Sequence, residues 1–177
     1  MKKQLHIFPL VILLCFSFSC QDKEAKAELE AMKAQAQVQQ QNKDLMSKSF
    51  EAWNKGNSEF FMEMTTPGYS YYSPSANPNP MSREQAVENV NMFRKAFPDI
   101  VFRIEDMIAE GDRITTRFSF TGTHQGEFMG IPATGNKVEG GGIIISRIEN
   151  GKFAEEWEEM DIIGLMMQLG MELKPKE

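Results

Sequence analysis

The chain's clearest pattern lies between Val101 and Asp161. From Ile114 the even positions read Ile114, Thr116, Phe118, Phe120, Gly122 and His124, and the odd ones read Thr115, Arg117, Ser119, Thr121 and Thr123. Period-two alternation predicts a strand with one apolar face and one wet face. His124 falls at the end of the apolar face. Gly122 marks a candidate bulge, after which the parity would flip. Glu110-Gly111-Asp112 and Asn150-Gly151 are hairpin turn signals, the second joining Ile143–Glu149 to Lys152–Met160. In that last strand Phe153, Glu155, Trp157, Glu159 and Asp161 share one side, and Ala154, Glu156, Glu158 and Met160 the other. Trp157 favours burial, so Glu155 and Asp161 are expected on its inward face.

Helical periodicity precedes the strands. Leu45, Met46, Phe50, Trp53, Phe60, Phe61 and Met64 recur at helical spacing, interrupted at Lys55-Gly56-Asn57. This predicts one helix stopping at Gly56 and a second, short one over Ser58–Met64. Five prolines and glycines between Thr65 and Pro80 predict a loop, with one short strand at Tyr69–Tyr72. The tyrosines there either line a cavity mouth or pack beneath the loop. Ser82-x-x-Gln85 is a capping box opening a helix with Ala86, Val87, Val90, Phe93 and Phe97 on one face, closed by Phe97-Pro98. Phe128 and Met129, between strands, either fold over a pocket or form a surface patch. Gly140-Gly141-Gly142 precedes a strand and lacks the residues of a phosphate loop, so it is read as a place where a curved strand bends. Ile162 to Gly170 is expected as a short terminal helix. Together these elements predict an α+β domain.

The first residues carry a different pattern. Lys2 and Lys3 precede an apolar run from Leu5 to Phe18, which ends at Ser19-Cys20. The run is short for a membrane span and resembles a lipoprotein signal, with residues 1–19 cleaved and Cys20 lipidated. An ordinary signal cut elsewhere is the alternative. Cys15 would leave with the signal, and an acylated Cys20 accounts for a lone thiol outside the cytoplasm. Residues 20–42 are rich in Ala, Glu, Lys and Gln, with Leu29, Met32 and Val38 as the main apolar positions. They read as a helical or disordered spacer without coiled-coil heptads. The folded domain is expected over 43–171, with a tail at 172–177. The protein is thus expected in the cell envelope, held to a membrane by its N-terminal lipid.

Composition narrows the chemistry. The 177 residues include 41% hydrophobic ones, with 13 Phe and 13 Met, enough for a soft aromatic core. The formal net charge of −6, without a basic cluster, argues against a nucleic-acid partner. The chain has two histidines, one of them His6, and no HExxH, Cys/His cluster or GxSxG elbow. No metal or cofactor is expected. What remains is His124 and inward carboxylates. A carboxylate in an apolar pocket binds its proton more tightly and becomes a base useful near neutrality. Asp161 or Glu155 beside Trp157 would fit, with His124 polarising a carbonyl or relaying a proton. The plainer readings stay open: His124 bonded within the core, and Asp161 capping the helix that follows it. The expected pocket lining is Glu155, Trp157, Phe118, Phe120, Tyr72, Phe128 and Met129.

Phe97-Pro98-Asp99, Gly122-Thr123-His124-Gln125-Gly126-Glu127, Met129-Gly130-Ile131-Pro132, Gly151-Lys152-Phe153 and Glu155-Glu156-Trp157 through Asp161 to Gln168-Leu169-Gly170 resemble the SnoaL-like polyketide cyclase, or ester cyclase, family. The resemblance runs from about Lys43 to Gly170. It implies the nuclear transport factor 2-like fold, a cone-shaped, mostly antiparallel curved sheet closed by helices around a pocket. It also implies cofactor-free intramolecular aldol cyclisation or isomerisation of a small hydrophobic carbonyl compound, with Asp161 as acid/base and His124 in the family's histidine position. Ser73-Pro74 stands where many relatives carry His-Pro, which implies a different pocket entrance. A non-catalytic lipoprotein that binds a small apolar ligand is the alternative. A homodimer through the outer sheet face is compatible with the pattern.

Overall fold

The computed structural model describes the backbone of residues 8–172 and 174, and side chains from Lys23 onward within that range. The chain forms two compact units, Met1–Val38 and Gln39–Glu177. The expected signal segment begins in residues 1–7, outside the described residues, and the Cys20 side chain is likewise not described. Helix α1 spans Phe8–Lys55, so the expected spacer is helical, with Leu29, Met32 and Val38 exposed as their sparse spacing implies. No helix among the described residues is long and apolar enough to cross a membrane.

In the second unit, α1 stops where the sequence placed the break. Gly56 takes a positive φ, and Asn57 caps α2 (Ser58–Met64) by accepting the Phe60 N–H. The proline-rich segment is more ordered than its composition suggested. It forms β1 (Thr65–Ser73) and β2 (Asn77–Ser82), an antiparallel edge pair that tolerates Pro78 and Pro80 because β2 is a sheet edge. Helix α3 (Arg83–Ala96) opens on the reciprocal Ser82/Gln85 capping box and ends before Pro98. Strands β3 (Val101–Glu110), β4 (Arg113–Thr123), β5 (Lys137–Glu149) and β6 (Lys152–Met160) follow, then α4 (Ile162–Gln168).

The six strands form one curved sheet in the order β2-β1-β6-β5-β4-β3, antiparallel except where β1 lies parallel to β6. The alternation of β4 holds: Ile114, Thr116, Phe118 and Phe120 are buried, and the register with β5 runs unbroken through Gly122, so no bulge forms there. Strand β5 is longer than the Ile143–Glu149 expected, because it takes in the glycine triad. A Cβ on Gly140 would lie 2.6 Å from the Phe120 ring, and one on Gly142 would lie 2.8 Å from the Phe118 ring. Those glycines make room for cross-strand aromatics.

Strand β6 corrects the sequence reading. Arg147 pairs with Glu155 but Ile148 pairs with Phe153, which leaves Ala154 as an extra residue. Such a bulge flips the parity beyond it. Phe153 and Ala154 are both buried, Glu156 then faces inward, and Glu158 and Met160 reach the interior cavity. Glu155, Trp157 and Glu159 take the outer face instead. Trp157 meets its need for contact there, stacked on Tyr72 with ring centroids 5.2 Å apart and with the Arg113 guanidinium 5.7 Å from its ring centroid.

Candidate functional site

Helices α1 and α3 close over the inner face of the sheet. Asn54 makes a two-way bridge to the Phe102 backbone, donating to its carbonyl and accepting from its N–H, both at 2.8 Å. Arg94 of α3 donates to the Trp53 carbonyl near the end of α1 and to the Ile100 carbonyl at 3.1 Å. These bonds fix Phe50 and Trp53 above the sheet. Phe50 meets Phe118 edge-on at 5.9 Å, and Trp53 meets Phe102 at 5.6 Å.

Beneath this aromatic cover lies a cavity of about 50 Å³, partly open to solvent. Its walls are Phe50, Trp53, Phe93, Phe102, Phe118 and Met160. Three polar side chains enter it: Glu158 from β6, Tyr71 from β1 and Asn89 from α3. Asn89 stands on the α3 face that buries Ala86, Val90 and Phe93. Glu158 is the group with unusual chemistry. Burial pushes its carboxyl up to about 7, with the neighbouring charge of Glu156 adding to the rise and a hydrogen bond from Tyr71 opposing it. Burial also raises the Tyr71 phenol, reinforced by the charge of Glu158, so the phenol keeps its proton and donates. A carboxyl that titrates near neutrality in an apolar cavity can take a proton from a substrate and return it.

The residues singled out from the sequence divide into three groups. Phe118 lines the cavity, as expected. Phe120 and Phe128 are buried in the core, the latter packed on Phe93 and Phe97. Tyr72, Glu155 and Trp157 lie on the outer sheet face, and Met129 is exposed in the loop after β4. The inward placement expected for Glu155, Trp157 and Asp161 is therefore corrected, for the reason given by the Ala154 bulge.

Asp161 is exposed and caps α4, its carboxylate accepting the Gly164 N–H at 2.8 Å. His124 is fully buried against the Phe97 ring, and its Nδ1 accepts the Thr134 N–H at 3.2 Å. That bond makes Nδ1 an acceptor, and Nε2 is buried without a hydrogen-bond partner among the described residues. The His124 N–H donates to the Asn136 carbonyl, and the Gly135 N–H donates to the His124 carbonyl, both at 2.9 Å. The residue pins the loop between β4 and β5. Neither Asp161 nor His124 lines the cavity. Among the described residues no three His, Cys, Asp or Glu side chains converge as a metal site would require. Glu158, Tyr71 and Asn89 were not picked out as site residues. One signal for Glu158 was present: adjacent Phe153 and Ala154, two apolar residues in a row within an alternating strand, mark a bulge that moves the next inward position to Glu156.

Residues 43–169 match the family model described as SnoaL-like polyketide cyclase. The chain belongs to the SnoaL-like polyketide cyclase family. The aklanonic acid methyl ester cyclase DauD of Streptomyces sp. (strain C5) is 29% identical over 131 residues, covering 72% of this chain and 80% of DauD. DnrD of Streptomyces peucetius, named for the same activity, is also 29% identical, over 72% of this chain and 89% of its own. Among solved structures, AclR of Streptomyces galilaeus, described as a candidate hydroxylase, superposes with a TM-score of 0.70 at 31% identity, over 78% of this chain and 87% of AclR. The SnoaL-like sheet and its helical cover are therefore shared by relatives named for different chemistry.

Proposed function

We propose that the protein is a cofactor-free acid/base catalyst of the SnoaL-like type, in which Glu158 is the reacting base. The observation that carries this reading is a single carboxyl, pushed up to about 7 by burial, in a mostly aromatic cavity. In the reaction Glu158 removes a proton from the carbon next to a carbonyl. The enolate carbon attacks a second carbonyl of the same molecule and forms a ring bond, and the protonated Glu158 returns its proton to the new alkoxide. Nothing is gained or lost overall, so the net change is an isomerisation. The Asn89 amide is the group placed to donate to the enolate oxygen, where a preorganised donor contributes most. A free volume of about 50 Å³, against the roughly 300–1,000 Å³ of a pocket enclosing a drug-sized ligand, favours the reacting end of a small carbonyl compound over a fused multi-ring skeleton.

The test is α-proton exchange. Aryl methyl ketones incubated in heavy water with the protein should lose their methyl protons faster than in buffer, followed by proton NMR. Glu158→Gln should remove the acceleration. Equal acceleration by both forms would refute Glu158 as the base. A wild type that binds such ketones without exchanging them would favour a ligand-carrying protein instead. The same proposal places the protein on a membrane through lipidated Cys20, with the α1 spacer between anchor and domain. Cys20→Ala should then abolish incorporation of labelled fatty acid.

A further inference from the structure

Behind the cavity lies a buried carboxyl, Glu156, that the proposed reaction does not touch. Glu156 stands two residues before Glu158 on the same face of β6, a separation of roughly 6–7 Å along the strand. Both its oxygens are engaged: Oε2 by the Tyr69 hydroxyl at 2.5 Å and Oε1 by the Ser146 hydroxyl at 2.6 Å. Ser146 is its direct partner across β5, and Tyr69 reaches it from β1. Tyr69 and Ser146 are themselves buried. Burial raises the Glu156 carboxyl, and the hydrogen bonds from Ser146 and Tyr69 oppose that rise by favouring the ionised form, which only accepts. The phenol of Tyr69 is held protonated by burial and by the charge of Glu156.

We propose that Glu156 is a positioning residue that keeps a fixed negative charge beside Glu158 and thereby sets the proton affinity of that carboxyl. The proposal rests on Glu158 being the reacting base. Tyr71 is the register partner of Glu156 across parallel β1 and β6, Tyr69 reaches Glu156 diagonally, and Glu158 lines the cavity together with Tyr71. Glu156 has two hydroxyl donors to help it carry a charge. Glu158 has the Tyr71 phenol alone and gives up its charge more readily. The other titratable group bearing on Glu158 is Glu159, exposed on the outer face beside Ser75. Helices α1 and α3 and strands β3 and β4 present Phe50, Trp53, Asn89, Phe93, Phe102 and Phe118 to the cavity, none of them titratable.

The test is a carboxyl titration of the purified chain carrying 13C-labelled glutamate, with the Glu158 signal assigned by its loss in Glu158→Gln. In Glu156→Gln the Glu158 midpoint should fall by about one unit, roughly a tenfold loss of proton affinity. Tyr69→Phe keeps the carboxyl but removes one of its two donors, so Glu156 takes up a proton more readily and the Glu158 midpoint falls by less. Glu159→Gln should leave the midpoint nearly in place. An unchanged or raised midpoint in Glu156→Gln overturns the proposal, and if that variant does not fold, the same result in Tyr69→Phe does so. No substrate enters this measurement. A midpoint that answers to Glu156 while Glu158→Gln still exchanges ketone protons would keep the tuning and remove the base. The reverse pair of results would keep the base and remove the tuning.

Discussion

Glu155 and Glu158 lie three residues apart on β6 and face opposite sides of the sheet. Glu155 meets solvent and Arg147, whose guanidinium donates to it at 2.8 Å, and this bond holds its carboxyl below the usual range. Glu158 meets aromatic rings, and burial lifts its carboxyl to about 7. The residue type and the strand are the same. What differs is whether water and a cation, or rings and a second carboxylate, surround the group, and that difference turns an inert surface charge into a candidate base.

The largest effect that would break this comparison is catalytic. Glu158→Gln should lower ketone exchange by about 10²–10⁴-fold, the usual worth of a general base, whereas Glu155→Gln should leave it within about twofold. Loss of activity in Glu155→Gln with none in Glu158→Gln would reverse the assignment of the two faces. The next effect is steric. Gly142→Ala would set a Cβ 2.5 Å from the Glu159 carbonyl oxygen and 2.8 Å from the Phe118 ring. Chemical denaturation should show a loss of about 1–3 kcal/mol, because a backbone atom has to give way.

Stability against pH sharpens the comparison further. Glu158 holds its proton more tightly folded than unfolded, so its contribution favours the fold below about pH 4.5 and is lost as pH rises through about 7. Wild type should lose about 3 kcal/mol from this group across that window, and Glu158→Gln should not. Glu155 has the opposite sign: its lowered carboxyl contributes above the unfolded value and loses that contribution as pH falls through the folded one. Parallel pH profiles for wild type and Glu158→Gln would contradict a buried carboxyl. A smaller effect is expected at Asp161. Asp161→Ala should cost about 1 kcal/mol as a lost helix cap, Asp161→Asn less, and neither should slow exchange by more than about twofold. A large catalytic loss in Asp161→Asn with normal stability would return the base to that residue.

How far the sequence could be read follows from how local each cause is. The stop at Gly56, the capping box at Ser82, the turns at Gly111 and Gly151 and the end of α3 before Pro98 depend on a few neighbouring residues, and each stands where it was expected. The faces of β4 were legible because the residues from Arg113 to Thr121 alternate without interruption. The hairpin of β1 and β2 was not legible, since proline composition reads as loop until a sheet edge is there to accept it. The site was only half legible. Phe118 was visible through its alternation, and the need for an inward carboxylate through the chemistry, but Glu155 and Asp161, expected inward, lie outside the cavity.

Local signals in the chain determined its elements, its family resemblance and the kind of group a cofactor-free site would need. Tertiary structure decided which carboxyls meet the cavity: Glu158 enters it, and Glu155 and Asp161 do not. At Ala154 β6 carries one residue more than β5 pairs, and that single extra residue exchanges the two faces of everything beyond it. Burial then separates Glu158 from Glu155, because the free energy of a charge depends on what surrounds it, and those surroundings come from α1, α3 and β1, far along the chain.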